Sequence, residues 1–194
     1  MSRQVLSRVA VSVVLGSTLL GGCSIWGGDD PEQTINVKQA VKQVDSILDG
    51  TFKAVHPRLQ WRDEPAHMSE RRNSFTNTAN GEMSVGRERH VRTRISKAKL
   101  TELLTDVDKY WRREGFKITL LNPREPSIMG ERSDGCTVNF SVTGFGDVAI
   151  SAGAGAQADL VSGDIEGEEG DKFPKAPNGG PDYAPDLRDP YWSK

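Results

Sequence analysis

Apolar side chains recur at three- and four-residue intervals in two stretches of the chain, and at two-residue intervals through much of the remainder. In the first stretch Val37, Ala40, Val41, Val44, Ile47 and Leu48 fall on one helical face, opposite Lys38, Gln39, Lys42, Gln43, Asp45 and Asp49. Asp30 or Thr34 is placed to cap this helix and Gly50 to end it, while Phe52 and Val55 extend the apolar face by a turn. In the second stretch Leu100, Leu103, Leu104, Val107, Tyr110 and Trp111 predict a helix over residues 97–114, with Ser96 as cap and Gly115 as exit. Arg112 and Arg113 sit in its last turn, where positive charge complements the helix dipole.

Between the helices, Leu59 and Trp61 suggest a short strand, and Pro65 with the polar run 69–81 predicts a long loop over residues 58–82. A long strand then begins at Met83. Val85, Arg87, Arg89, Val91, Thr93 and Ile95 share one parity; Glu88, His90, Arg92 and Arg94 share the other. After the second helix come short strands at 116–121, 127–131, 136–143 and 148–152, separated by turns rich in Gly, Asp and Pro. The predicted fold is α+β: an antiparallel sheet of about five or six strands, packed on one face by two helices as a two-layer sandwich. No strand reads as the continuous aliphatic run of a doubly buried parallel sheet. In residues 136–143, Cys136, Val138, Phe140 and Val142 alternate with Thr137, Asn139, Ser141 and Thr143. One face of the sheet is therefore expected to meet water or a ligand.

The N-terminus adds an address. Arg3 and Arg8 flank an apolar run at residues 9–20, too short for a core of about 30 Å, and Leu20-Gly21-Gly22-Cys23 follows. These four residues resemble the lipobox of bacterial lipoproteins, which implies that residues 1–22 are a signal peptide and that Cys23 becomes the acylated N-terminus. Two ester-linked chains and an amide-linked one, at about 0.8 kcal/mol per buried methylene, hold a protein stably at a membrane. Residues 23–33 then read as a flexible tether and residues 34–161 as a single domain. Residues 162–194 are acidic and contain five of the ten prolines, so they are expected to be a disordered tail with its aromatics, Phe173, Tyr183, Tyr191 and Trp192, exposed. That tail carries a net charge of -4 and the leader +2, which together give the chain's -2, so the domain is close to neutral. A neutral, exported domain gives no footprint for nucleic acid.

Candidate chemistry is sparse. With Cys23 acylated, Cys136 has no intrachain partner, and its parity marks it as a small buried hydrophobe. His56, His67 and His90 lack partners at metal-ligand spacing, so no metal or other cofactor is expected, and a surface position is expected for His90. No nucleophile elbow or Ser-x-x-Lys set occurs, and the Gly144-Phe145-Gly146 turn lacks the helix that a phosphate loop needs. No catalytic residue is assigned. Arg87, Arg89, Arg92 and Arg94, with Trp61, form the candidate binding set. The arginines suit either edge-strand protection or contact with anionic headgroups or wall polymers.

The lipobox, Ser46-Ile47-Leu48-Asp49-Gly50-Thr51, the Trp61 strand, and the helix ending Tyr110-Trp111-Arg112-Arg113-Glu114-Gly115-Phe116 are similar to those of small exported lipoproteins of actinomycete-type bacteria. That resemblance implies a lipid-anchored place on the cell membrane, outside the cytoplasm, and transfers Cys23 alone as a functional position. The expected function is a non-enzymatic binding module of the cell envelope, its partner an envelope protein or an anionic polymer. The alternatives are a carrier holding a lipid or small ligand in a cavity lined by Trp61, Trp111 and Phe140, and, last, a hydrolase of envelope polymers.

Overall fold

The computed structural model describes residues 35–72, 75–143, 146–157 and 170–194. The expected leader, Cys23, the tether and the cap candidates Asp30 and Thr34 lie outside these residues.

Two helices, α1 (Val37–Ala54) and α2 (Lys97–Arg113), pack on one side of an antiparallel sheet. The sheet has seven strands: β1 (Trp61–Asp63), β2 (His67–Arg72), β3 (Ala79–Val91), β4 (Lys117–Asn122), β5 (Ser127–Glu131), β6 (Thr137–Val142) and β7 (Val148–Gln157). Their order is β1-β3-β7-β6-β5-β4, with β2 paired to β3 on the edge it shares with β1. The fold is thus the two-layer α+β sandwich, with one strand more than expected.

Asn36 caps α1. Its side chain accepts from the Gln39 amide at 2.9 Å, and its own amide donates to Gln39 Oε1 at 3.0 Å, a reciprocal capping box. The helix does not stop at Gly50. A Cβ there would stand 2.0 Å from Tyr110 Oη, so the glycine is present to let α2 approach rather than to end α1. Ser96 occupies the N-cap of α2, but its hydroxyl makes no capping bond. Gly115, at φ +86°, provides the expected left-handed exit.

The core lies between the layers. Leu48, Phe52, Leu103, Trp111, Ile128, Phe140 and Ile150 are buried there, each contributing about 1.5–3 kcal/mol by leaving water. The Trp111 indole donates to Thr51 Oγ1 at 2.9 Å, and that hydroxyl donates to the Ile47 carbonyl at 2.8 Å, so no polar atom in this chain of bonds is stranded. Ala152, Ala154 and Ala156 on β7 supply a low surface for α1. Cys136 is buried, and burial pushes its thiol up to about 11, far from the thiolate a reactive cysteine needs.

Three expectations are corrected. The loop predicted over residues 58–82 contains, besides the short strand expected at Trp61, β2 and the start of β3, because the edge strand β2 bonds through its backbone while its side chains face solvent. The strand bearing the arginines lies inside the sheet, between β1 and β2 on one side and β7 on the other. Finally, residues 170–194 run back over the domain. Leu187 exchanges backbone bonds with Arg92 and Arg94, and Trp192 is fully buried with its indole donating to the Pro57 carbonyl at 2.8 Å. Among the described residues no helix is long and apolar enough to cross a membrane.

Candidate binding surface

Alternation along β3 sends Val85, Arg87, Arg89 and Val91 toward the helices. Arg87 and Arg89 are 6 % and 5 % exposed, so they present no basic strip. Arg87 Nε lies 2.8 Å from Asp45 of α1; Arg89 reaches Asp49 of α1 at 2.8 Å and Asp63 of β1 at 2.5 Å. The Arg89 guanidinium also lies 5.2 Å from the ring centre of Trp61 and 5.6 Å from that of Phe52. Trp61 is half-buried, 4.4 Å from Phe52 between ring centres. These residues close the sheet-helix seam.

Arg92 and Arg94 hold the C-terminal segment instead. Arg92 forks onto Asp186 through two bonds of 2.9 Å, Arg62 joins the same carboxylate at 3.1 Å, and Arg94 donates to the Pro185 carbonyl at 3.0 Å. The Arg92 and Arg62 bonds, Arg92's first, hold the Asp186 carboxyl well below the usual carboxylate range. The candidate set is thereby divided: Trp61, Arg87 and Arg89 belong to one structural cluster, and Arg92 and Arg94 to another.

His90 points the opposite way, onto the face of the sheet that carries no helix. It is not a surface residue as expected but is 8 % exposed, because Tyr183 stacks on its ring at 4.0 Å and Phe173 meets it edge-on at 5.6 Å. Its Nε2 lies 3.1 Å from Glu64 and 3.3 Å from Glu88. Tyr183 donates to Glu64 as well, and this bond, with burial, pushes its phenol up to about 12. The C-terminal segment therefore covers one end of the helix-free face.

The rest of that face is open. Two adjoining hollows, about 550 and 460 Å³, share Ser84, Glu131, Thr137 and Gly153. Their floor follows from strand register. Gly86 of β3 sits beside Gly153 of β7, Ser84 beside Gly155, and Thr137 and Asn139 of β6 beside Gly153 and Ser151. Two of these glycines have close side-chain neighbours: a Cβ on Gly86 would meet the His67 ring at 2.7 Å, and one on Gly153 would meet Thr137 Oγ1 at 2.8 Å. Met129, 47 % exposed, gives the floor one apolar point, with Leu120 beside it on β4. Charges at the rim come in opposite pairs, Arg71–Glu82 at 3.2 Å, Lys117–Glu131 at 3.7 Å and Arg132–Asp134 at 2.8 Å. Hydroxyl, amide and imidazole groups on a low floor suit a ligand that brings its own hydrogen-bonding edge.

Alternation in residues 136–143 already marks the polar side of β6. His67, Gly86, Gly153 and Met129 escape sequence reading because only register brings them together. Comparison of the chain with models of protein families, with curated proteins and with solved structures finds no match.

Proposed function

We propose that this chain is a membrane-anchored extracytoplasmic lipoprotein, acylated at Cys23, whose domain binds a protein of the cell envelope through the helix-free face of its sheet and performs no chemistry. The observation that carries the reading is that face itself: a glycine- and serine-floored hollow beside a densely filled core. Its rim charges are mutually paired, which favours a polypeptide of mixed charge over a polyanion. The leader, the small residues before Cys23 and the Gly-Asp tether support the placement. A carrier is less well supported, since Trp111 and Phe140, two of its expected cavity-lining residues, are wholly buried packing residues.

Site-specific photocrosslinking in intact cells tests the reading. A photoreactive side chain at Asn139 or Met129 is expected to trap one discrete partner band, and one at Lys38 or Lys109 on the helix layer is not. Equal trapping from both layers, or none from either, would overturn the assignment of the binding face.

A further inference from the structure

We propose that the outer edge of β4 is a self-association surface, on which β4 of a second copy of this chain pairs antiparallel to make one continuous sheet. β4 ends the sheet on one side: it bonds to β5, and among the described residues no segment bonds to its other side. An edge strand presents a row of backbone amides and carbonyls, and what satisfies such a row is another strand. The side chains agree. Leu120 and Leu121 are 44 % and 43 % exposed. Leu120 pairs with Met129 and stands with it on the helix-free face, whereas Leu121 pairs with the buried Ile128 and stands on the helix side. The edge is therefore apolar on both faces of the sheet. Its register with β5 shifts between Ile118 and Leu120, and the pairing is regular from Leu120 to Asn122.

The other side of the sheet is defended. On β1 the Asp171 amide donates to the Asp63 carbonyl at 2.7 Å, and the Asp63 amide donates to the Asp171 carboxylate at 2.9 Å, so the C-terminal segment covers that edge. β2 carries Glu70, Arg71 and Arg72, with Arg72 paired to Glu70 at 3.0 Å, and charge along an edge strand discourages pairing. With one edge closed and one open, a strand added from a second copy must use the same edge on both molecules. Such a contact is two-fold and stops at the dimer.

β4 is complementary to itself. Lys117 is the only charged residue in Lys-Ile-Thr-Leu-Leu-Asn. Antiparallel pairing sets the Lys117 end of each copy beside the Asn122 end of the other, so the two lysines stand apart and neither opposes a like charge within the strand. A two-fold axis perpendicular to the sheet brings the Leu120 side chains of both copies together on the helix-free face and the Leu121 side chains together on the helix side. The two helix-free faces then lie side by side, which doubles the surface a partner can meet. The contact joins strands of six residues and stays below the roughly 1,200–2,000 Å² of a stable complex. The dimer is accordingly a weak one, filled at high local concentration.

Sedimentation velocity tests the pairing on the chain from residue 23 onward, with Cys23→Ser removing that thiol, between about 10 μM and about 1 mM. A monomer–dimer equilibrium is expected, with the dimer dominant at the upper end. Leu120→Lys combined with Leu121→Lys should weaken association about tenfold or more, while Met68→Lys on the β2 edge leaves it unchanged. Should the double lysine variant fail to fold, single cysteines give a second readout, since Cys136 is buried. At high concentration a short bis-maleimide should join Leu121→Cys to its own copy and should leave Met68→Cys monomeric. A chain that stays monomeric throughout overturns the proposal, as does a dimer that ignores the lysines and crosslinks from Met68→Cys. So does a monomer in which every β4 amide resists hydrogen exchange, which would put another segment of the same chain on the edge. Crosslinking of Leu121→Cys in cells to an envelope protein, and never to its own copy, would overturn it as well.

Discussion

Arg89 carries a permanent charge into a position only 5 % exposed, and its neighbours explain why it stays there. Asp49 and Asp63 pair with it, and its guanidinium carbon lies over the rings of Trp61 and Phe52. Arg89→Met removes both pairings at once. Because the two aspartates remain partly in water and can rehydrate, the expected loss is near the low end for a buried pair, about 3 kcal/mol in chemical denaturation. A loss below about 0.5 kcal/mol would mean that the cluster is incidental. Gly50 gives a second residue-scale expectation. In an unobstructed helix Gly→Ala stabilises by about 1 kcal/mol, but here the new methyl would strike Tyr110 Oη. Gly50→Ala should lower the melting temperature, and adding Tyr110→Phe, which deletes the obstructing oxygen, should restore most of it. Additive losses in the double variant would contradict this account of the helix crossing.

At the scale of elements, the C-terminal segment behaves as part of the domain. Trp192→Ala should cost about 3–5 kcal/mol if the indole's site stays empty, and should make residues 183–194 the first target of limited proteolysis. The Asp186 fork sets the acid limit of this docking. Its carboxyl titrates lower in the folded than in the unfolded chain, so its contribution is fully present above the unfolded value of about 4 and is lost as pH falls toward the depressed folded value. Protease protection of the segment should therefore be flat from pH 7 to about pH 5 and weaken below about pH 4, with Asp186→Asn showing reduced protection already at pH 7. Equal protection in both proteins at every pH would contradict the clamp.

The same elements explain what could be read from the chain. The two amphipathic helices and β5 through β7 bury clean apolar stripes, and their periods mark them. β2, His-Met-Ser-Glu-Arg-Arg, buries no apolar stripe and is held chiefly by backbone pairing, so no period betrays it. Parity groups Arg87 and Arg89 with Val85 and Val91, but only the docking of α1 reveals Asp45 and Asp49 waiting opposite. The segment 170–194 has the composition of an unfolded tail; three spaced aromatics find sites whose walls are assembled from β1, β3 and the α1 exit. Composition averages over such residues, whereas tertiary structure uses them singly. The hollow on the helix-free face is a matter of register between β2, β3, β7 and β6, to which a single strand's pattern is blind.

For the whole molecule, the fold sorts its surfaces by direction. One end of β3 lies beside the start of the described chain at Ile35, the opposite end is closed by the C-terminal segment, and the open sheet face lies between them. That arrangement suits the proposed module, held at a bilayer and read through its open sheet face, and that proposal depends on acylation of Cys23. The most direct measurement is the intact mass of the protein extracted with detergent from the membranes of its own host. The expected species begins at Cys23 and carries a diacylglyceryl group on sulfur. An unmodified Cys23 thiol, or a chain that keeps residues 1–22, would contradict the anchored module.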